Sequence, residues 1–497
     1  MSSSCRLFSF IVFIVFLIII TSNGHYYYCS SSSSSDNLQT GYRFSLPVPV
    51  DVDNLFTGRA FIMEAGGDGQ QTPDFRVALS VVEEDLDNKK KKLLFSCSLD
   101  VFLGEVRVWS SAHFFRFYAL RECVLELTNE GDLLLKEQNQ TVGWKTGTSG
   151  QGVQRLQLLR NGNLVLVDSL NQIKWQSFNF PTDTMLYSQT LNVATRLTSF
   201  PTNSTSLSFS FDIERQKIAL YLNSAANSNS NSKYPFWEFR PSQNRNLTFI
   251  KVSTQGLDIF DDRGKKISQI QSQRLEPIRF LALDNKTGSL GLYYYSTADG
   301  NFKAAFRVPN STCDLPLACR PYEICTLTNV CSSSFINNNN NRSSCNAASR
   351  DDVKMVELRK VWSVIRGIPA DTNVSSSKDR CAQTCINNCK CAAALYNATS
   401  SRGGACFVYE FVRGLKELDL TTPLMATNKL TYMVKLRKED TTVGKASSSS
   451  AFKGWVLALV GATDALVLLL LFLGILYYCC VLSKRRNHSH PTNHPQQ

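Results

Sequence analysis

The chain has 497 residues, of which 43% are hydrophobic and 19% are charged. This balance excludes a mainly disordered chain, and the length leaves room for about three domains. The formal net charge is +12, but the basic residues are scattered and do not alternate with aromatic residues on one face, so nucleic acid is not expected as a partner.

The N-terminus has the pattern of a secretory signal peptide. Arg6 supplies a positive charge, Leu7–Ile20 is a continuous apolar run, and small or polar residues follow up to Gly24. This order predicts a signal peptide over residues 1–24 and entry into the secretory pathway. The alternative, a short buried helix, is disfavoured because nothing amphipathic follows.

Two similar hairpins are predicted in the first half of the chain. In residues 123–136 and 154–167, apolar residues alternate on both sides of a turn that contains glycine, a pattern that predicts antiparallel strand pairs. The second turn contains Asn161-Gly162, a pair typical of a two-residue type I′ turn with two positive φ angles.

The two hairpins share one spacing. Gly131 and Gly162 are 31 residues apart, and so are Trp144 and Trp175. An internal repeat predicts copies of one supersecondary unit that bury their faces against each other. A third copy is placed around Trp109, although no turn is recognisable near it.

The repeat ends in a run that carries a family resemblance. The sequence GNLVLVD…WQSFNFPTDTM, from Gly162 to Met185, resembles the end of a bulb-type (monocot mannose-binding) lectin domain, as found in plant S-locus glycoproteins and G-type lectin receptor kinases. The resemblance implies a mainly β chain with a bulb-type lectin domain over residues 42–187, built as a β-prism around a pseudo-threefold axis.

The resemblance also gives a candidate carbohydrate site. The family's mannose motif, Q-x-D-x-N-x-V-x-Y, falls on Leu159, Asn161, Asn163, Val165 and Val167. Asn161, Asn163 and Val165 are therefore the candidate carbohydrate-binding residues. Leu159 and Val167 replace the Gln and the Tyr, and an unmade hydrogen bond to a buried polar group costs about 1–3 kcal/mol. The copy in residues 128–136 keeps almost nothing of the motif, so we expect a structural lectin fold more than a mannose site.

Three further regions are predicted downstream. Residues 190–310 alternate apolar and polar residues and suggest a second β-rich region, which occupies the place where the resemblance implies a second lectin-like or S-locus-type region. Residues 313–331 carry cysteines at intervals of six and resemble a shortened EGF-like module, which is followed by an Asn- and Ser-rich linker. Residues 345–436 resemble a plant PAN/apple domain, with an α+β fold, on the runs CAQTCINNCKCAAALYN and GGACFVYE.

Cysteines are dense in this part of the chain. The spacing i, i+4, i+8 places Cys381, Cys385 and Cys389 near one helical face, from which they can be cross-linked to a sheet beneath. Twelve cysteines are predicted to form disulfides, with their pairing left open: Cys97, Cys123, Cys313, Cys319, Cys325, Cys331, Cys345, Cys381, Cys385, Cys389, Cys391 and Cys406. Zinc is the alternative, but His113 is the only histidine of the mature ectodomain apart from His25 at its edge, so no metal or cofactor is expected.

N-x-S/T sequons support passage of the same part of the chain through the lumen of the secretory pathway. Eight predicted N-glycosylation sites lie between the two apolar segments of the sequence: Asn139, Asn203, Asn246, Asn285, Asn310, Asn341, Asn373 and Asn397.

A second apolar segment lies near the C-terminus. Trp455–Leu482 has 28 residues with the single charge Asp464, whereas a bilayer core of about 30 Å needs about 20 residues. The basic residues 483–486 follow it and predict a cytosolic tail over residues 483–497, while residues 441–453 are predicted to form a stalk. We therefore expect a single-pass type I protein of the plasma membrane with an extracellular ectodomain; a GPI signal is disfavoured by the basic tail.

The sequence predicts no catalytic constellation. A hydrolase of the Ser-His-Asp or Cys-His type needs a histidine base, and His113 lies in an aromatic, strand-like run. A kinase would need a Gly-rich loop and an HRD-type segment, and nothing of the kind fits; paired carboxylates cannot be read from one sequence.

The expected function is therefore extracellular recognition by a non-enzymatic plant glycoprotein. It would act as a kinase-less co-receptor or decoy that associates with receptor kinases or with itself through the PAN domain. The alternatives are a mannose- or glycan-binding lectin at the cell wall and a structural wall glycoprotein.

Overall fold

The computed structural model describes most of the predicted ectodomain, namely residues 26–30, 35–49, 56–65, 73–84, 94–137, 141–200, 207–224, 232–241, 245–332, 334, 353–369, 377–398, 404–418 and 430–437. The predicted signal peptide, linker, stalk, transmembrane segment and cytosolic tail lie outside these ranges. Among the residues described, no helix is long and apolar enough to cross a membrane. Residues 1–438 form one compact unit.

The first β region, residues 26–176, contains fourteen strands in three sheets. The strands are β1 (Tyr26–Ser30), β2 (Asn37–Gln39), β3 (Arg43–Pro47), β4 (Thr57–Ala65), β5 (Phe75–Glu84), β6 (Leu94–Leu103), β7 (Val106–Ser110), β8 (Phe117–Ala119), β9 (Glu122–Leu127), β10 (Leu133–Glu137), β11 (Val142–Lys145), β12 (Val153–Leu158), β13 (Leu164–Asp168) and β14 (Ile173–Gln176). Sheet A1 has the order β1-β4-β5-β6-β7 with β8 also on β6, sheet A2 the order β11-β10-β9-β3, and sheet A3 the order β14-β13-β12-β2.

The second β region, residues 184–308, contains twelve strands, also in three sheets. They are β15 (Thr184–Leu186), β16 (Thr190–Asn192), β17 (Arg196–Thr198), β18 (Leu207–Glu214), β19 (Lys217–Ser224), β20 (Ser232–Phe239), β21 (Leu247–Ser253), β22 (Gly256–Asp261), β23 (Lys266–Gln271), β24 (Ile278–Leu283), β25 (Leu290–Ser296) and β26 (Asn301–Val308). Sheet B1 has the order β17-β18-β19-β20, sheet B2 the order β16-β21-β22-β23, and sheet B3 the order β15-β24-β25-β26.

The two β regions share one topology. In the first region β2, β3 and β4 join sheets A3, A2 and A1, and the later strands then build A1, A2 and A3 in the reverse order. In the second region β15, β16 and β17 join B3, B2 and B1 in the same way. Each region is therefore closed by an early strand, β2 or β15, that pairs with a strand of the last sheet to be built, β12 or β24.

The C-terminal part combines a small cysteine module, residues 313–331, with an α+β region, residues 353–437. Its elements are β27 (Ile324–Cys325), β28 (Val353–Leu358), β29 (Val361–Ser363), β30 (Ile368–Pro369), helix α1 (Lys378–Asn387), β31 (Ala393–Asn397), β32 (Ala405–Tyr409), β33 (Leu415–Glu417) and β34 (Leu430–Arg437). One five-stranded sheet has the order β28-β34-β31-β32-β30, and a three-stranded sheet, β27-β33-β29, joins the module to the α+β region.

Helix α1 is capped at its N-terminus by Ser377 and ends before Cys389. Ser377 Oγ accepts a hydrogen bond from the Arg380 amide at 3.2 Å, which satisfies a backbone donor of the first turn. Cys381 and Cys385 lie on the buried face of the helix. The prediction that Cys389 shares this face is wrong, because the helix ends at Asn387 and Cys389 lies in the turn beyond it.

Two large apolar cores hold these sheets together. One lies mainly in the first β region, includes Leu125, Leu156 and Trp175, and reaches Leu186 and Phe280 of the second β region. The other extends without interruption from the second β region into the C-terminal region and includes Tyr234 and Tyr432. The chain is thus mainly β, as the sequence predicts, and the second β region and the C-terminal region share one core.

Candidate carbohydrate site

The candidate carbohydrate residues lie on the β12–β13 hairpin. Leu158 pairs with Leu164, and the Leu159 and Asn163 backbones close a three-residue loop through an N–H···O bond of 2.9 Å. Only Gly162 in this loop has a positive φ, +83°. The predicted two-residue type I′ turn is therefore wrong. Such a turn would pair Leu159 with Leu164, whereas the observed register pairs Leu158 with Leu164 and leaves a three-residue loop in which glycine alone adopts the left-handed conformation.

Asn163 uses its side-chain amide inside the protein. Its Nδ2 donates to Gln176 Oε1 at 2.8 Å, and its Oδ1 accepts from Ser177 Oγ at 3.2 Å and from the Phe178 amide at 3.3 Å. The residue is only 4% exposed. These contacts fix the chain after β14 to the tip of the hairpin.

The side chains of the other candidate residues are also hydrogen-bonded or buried within the protein. Asn161 Oδ1 accepts from the Asn163 amide, and Asn161 Nδ2 donates to Ser188 Oγ, both at 3.1 Å. Val165 is 1% exposed and the neighbouring motif position, Val167, is 3% exposed. The structure thus brings the three predicted residues together, but their sugar-facing groups meet protein atoms.

The earlier hairpin contains the same arrangement at the same spacing. Asp132 occupies the place of Asn163, and its Oδ1 accepts from Thr146 Oγ1 at 2.8 Å and from the Gly147 amide at 2.7 Å. Thr146 Oγ1 in turn accepts from the Leu133 amide at 3.1 Å, as Ser177 Oγ accepts from the Leu164 amide at 3.0 Å. We call this set of contacts the hairpin clip.

One contact of the clip recurs in sheet A1, at the tryptophan around which the third copy of the repeat is predicted. Ser111 Oγ accepts from the Leu99 amide at 2.9 Å, and Ser111 follows Trp109 by the same two positions as Thr146 follows Trp144. The turn was not recognisable because β5 and β6 remain paired beyond this point, up to Glu84 and Leu94.

The three tryptophans of the copies meet in the core. Trp109, Trp144 and Trp175 contact each other edge to face, with ring centroids 5.8–6.2 Å apart. The sequence signal for the clip is a Ser or Thr two residues after each tryptophan, which the lectin motif does not include.

His113, the only candidate catalytic base, is buried where the two β regions meet. Its Nε2 lies 2.8 Å from Thr198 Oγ1, and its ring contacts Phe114 and Phe200. Nδ1 has no hydrogen-bond partner among the described residues. Burial lowers the pKa of His113 to about 4, Asp183 raises it, and Arg107 lowers it further.

Eleven of the twelve predicted cysteines form disulfides in the described part of the chain. The bonds are Cys97–Cys123, Cys313–Cys325, Cys319–Cys331, Cys381–Cys406 and Cys385–Cys391; Cys389 is also disulfide-bonded, and Cys345 lies outside the described residues. One bond links helix α1 to strand β32, and another closes the turn after the helix. Cys319 and Cys331 approach Glu323, but their sulfurs are joined to each other and are not available to a metal.

The sequons have different surroundings. Asn246 and Asn310 are exposed, and Asn285 and Asn397 are partly buried. Asn285 Nδ2 donates to Asp183 Oδ2 at 2.9 Å, so the nitrogen that would carry a glycan makes a contact within the fold. The sequons at 139, 203, 341 and 373 lie outside the described residues.

A polar hollow of about 320 Å³ lies on sheet B1 of the second β region. Lys233 Nζ is 2.5 Å from Asp212 Oδ2, and the Tyr221 hydroxyl donates to Glu214. Asp212 Oδ1 is buried without a hydrogen-bond partner among the described residues. No sequence motif marks this hollow.

Comparisons with known proteins fit this architecture. A family model described as D-mannose binding lectin matches residues 118–206. A PAN domain-containing protein of Arabidopsis thaliana is 26% identical over 310 residues, which cover 56% of this chain and 58% of that protein. Two G-type lectin S-receptor-like serine/threonine-protein kinases of the same plant are 22% and 23% identical, over 55% and 72% of this chain but only 34% and 46% of theirs.

Among solved structures, a monomeric monocot mannose-binding lectin from Gastrodia elata is similar at 19% identity and a TM-score of 0.18, covering 29% of this chain and 95% of that chain. The family match and the curated relatives support a bulb-lectin and PAN receptor-like character for the chain. It spans between about a third and three fifths of the length of these relatives.

Proposed function

We propose that this chain is a non-catalytic cell-surface glycoprotein that acts in extracellular recognition, as a co-receptor or decoy for receptor kinases. Its first β region would be a bulb-lectin β-prism that serves as a scaffold, and its C-terminal region would be a PAN domain that contributes protein contacts. The transmembrane anchor and the glycans of this proposal come from the sequence alone.

One observation carries the proposal: the Asn163 amide, which would hold a sugar in a mannose site, bonds Gln176, Ser177 and Phe178 instead. A sugar would have to break these bonds before it could replace them, and each broken bond to a buried group costs about 1–3 kcal/mol. The burial of Val165 removes the apolar contact as well. Recognition of another kind of ligand is therefore favoured over mannose binding.

A glycan array with the purified full-length protein tests the scaffold role. We expect no mannose signal that free methyl-mannoside displaces. Displaceable binding that is lost in Asn163→Ala, with the circular-dichroism spectrum retained, would overturn the proposal. Gln172→Ala is the matched control, because Gln172 is an exposed residue near the same hairpin.

Proximity labelling tests the co-receptor role. The protein carries a labelling enzyme on its C-terminus in plant cells, and the control is the same enzyme on residues 441–497 alone. Receptor kinases enriched over the control would support the proposal. Recovery of none would count against it.

The hollow on sheet B1 favours a second candidate function, glycan binding through the second β region. Its charged side chains lie beside Tyr221, which is itself only 8% exposed, and a hollow with a few convergent polar groups suits a sugar. Array binding that survives Asn163→Ala but is lost in Lys233→Ala would support this second candidate.

A further inference from the structure

A groove of about 690 Å³ lies where the second β region, the cysteine module and the C-terminal region meet. One wall consists of consecutive residues from Ala304 in β26 to Asn310, and the facing walls contain Trp237 from β20 and Trp362 from β29. All three strands belong to the single compact unit. The groove thus has a fixed position relative to the shared core.

The long wall of the groove is the free edge of a sheet. Strand β26 is the last strand of sheet B3, and its one neighbour among the described strands is β25. On either side of a bulge at Ala305, alternate backbone N–H and C=O groups along its outer edge therefore have no ladder partner, which makes such an edge a template for another strand. An extended peptide can add to an edge of this kind through main-chain hydrogen bonds.

The facing walls offer aromatic surface. Trp237 and Trp362 are both partly exposed, and strand β29, which carries Trp362, is also the last strand of its sheet. Successive side chains of an added strand point to opposite faces. Those pointing into the groove would meet the tryptophans, while the peptide backbone follows β26.

The charge of the lining indicates the kind of peptide. Its charged side chains are Arg307, Arg366 and Lys416 against the single carboxylate of Asp314. Lys416 is paired with Asp314, and Arg366 lies 2.8 Å from Glu238. Arg307 is exposed and donates a hydrogen bond of 3.5 Å to the Tyr293 hydroxyl. It has no carboxylate partner in the described part of the chain, so its charge remains available to a ligand.

We propose that this groove binds an extended, acidic peptide as an added strand along β26. The proposal rests on the recognition function above and names its ligand class. Backbone hydrogen bonding along an edge strand favours a peptide over an acidic polysaccharide, whose rings offer no repeating N–H and C=O groups at strand spacing.

The test uses the full-length protein in detergent and pooled fluorescent hexapeptides. One pool has Asp or Glu at three alternate positions and apolar residues between them, and the matched pool has Lys in place of the acids. We expect the acidic pool to be enriched at least tenfold over the Lys pool. Because the sequon Asn310 lines the groove, both the wild type and Asn310→Gln are used, and enrichment by either supports the proposal.

Two variants and one peptide modification locate the binding. Arg307→Glu is expected to weaken binding of the selected peptide at least tenfold. Lys303→Glu, a matched charge reversal on the same strand at a residue outside the groove lining, should leave it unchanged. N-methylation of alternate peptide amides should abolish binding, because it removes the donors that an added strand requires.

Three results would overturn the proposal: no enrichment of the acidic pool, equal effects of the two charge reversals, or binding of oligogalacturonate without binding of peptides. None of these results depends on receptor kinases, so the recognition function tested by proximity labelling can survive the failure of the groove.

Discussion

Burial decides the protonation state of His113. The side chain is only 2% exposed, and the loss of water around the charged imidazole is the largest cause that lowers its pKa to about 4. Arg107 acts in the same direction, and Asp183 opposes both. The residue is therefore neutral at the contact between the two β regions, where it bonds Thr198.

This shift predicts that the protein loses stability in acid. The pKa of His113 in the folded protein lies below its ordinary value, so between pH 6.5 and about 4 the unfolded chain binds the proton and the folded chain does not. The contribution of the neutral imidazole to the free energy of unfolding is complete above pH 6.5 and is lost as the pH falls. By pH 4 the loss is roughly 3 kcal/mol. Urea unfolding with intact disulfides at several pH values measures it.

Carboxylates also titrate in this range, so the comparison is made with His113→Gln. The variant carries the same carboxylates and lacks the titrating ring. The difference in unfolding free energy between wild type and variant should shrink or reverse as the pH falls from 7 to 4.5. Two parallel pH profiles would contradict the prediction.

At the scale of elements, the hairpin tips connect the repeats to the rest of the molecule. Gly162, at the tip of the β12–β13 hairpin, approaches both Phe75 of sheet A1 and Leu186 of the second β region. Gly131 occupies the equivalent tip and approaches Val153. The position of glycine at both hairpin tips thus reflects a close approach as well as a left-handed φ.

The close approach predicts different costs for two glycine substitutions. In Gly162→Ala, the new Cβ would lie 2.4 Å from Phe75 Cε1 and 2.8 Å from Leu186 Cδ1, at a φ of +83°. Gly147 has a similar φ of +73° but nothing within 4 Å, so Gly147→Ala isolates the backbone strain, about 1 kcal/mol.

We expect Gly162→Ala to lower the free energy of unfolding by about 1–3 kcal/mol more than Gly147→Ala does, because overpacking is added to the backbone strain. Urea midpoints of the two variants measure the difference. Equal costs would show that the hairpin tip is not packed tightly.

Local signals explain which elements could be predicted from the sequence. The hairpins around Gly131 and Gly162 were predictable because strand, turn and tryptophan follow one another within a single repeat. The pairing of β2 with β12 was not, because it joins residues more than a hundred positions apart. The carbohydrate residues were located by motif, but their internal contacts depend on Ser177 and Gln176, which only the fold brings beside them.

At the scale of the whole molecule, the second β region and the C-terminal region behave as one body. Tyr234 of β20 is fully buried and stacks on Tyr409 of β32 with ring planes 10° apart. Its hydroxyl accepts from the Glu410 amide at 3.3 Å. Nearby, the Arg366 amide donates to the Pro235 carbonyl at 2.8 Å, so side chains and backbone both cross the boundary.

This shared core predicts that one substitution destabilises both regions. Tyr234→Ala removes a buried ring, and the loss of a large aromatic side chain from a core costs about 3–5 kcal/mol. Hydrogen exchange measured by mass spectrometry should therefore show faster exchange in β19 and also in β34, although β34 belongs to the C-terminal region.

Phe249→Ala is the matched control, because Phe249 stacks on Phe260 in sheet B2 and lies outside the shared core. It should speed exchange near β21 and β22 while β34 keeps its protection. If Tyr234→Ala left β34 protected, the two regions would be separable, and the groove between them would lose the fixed geometry on which peptide binding depends.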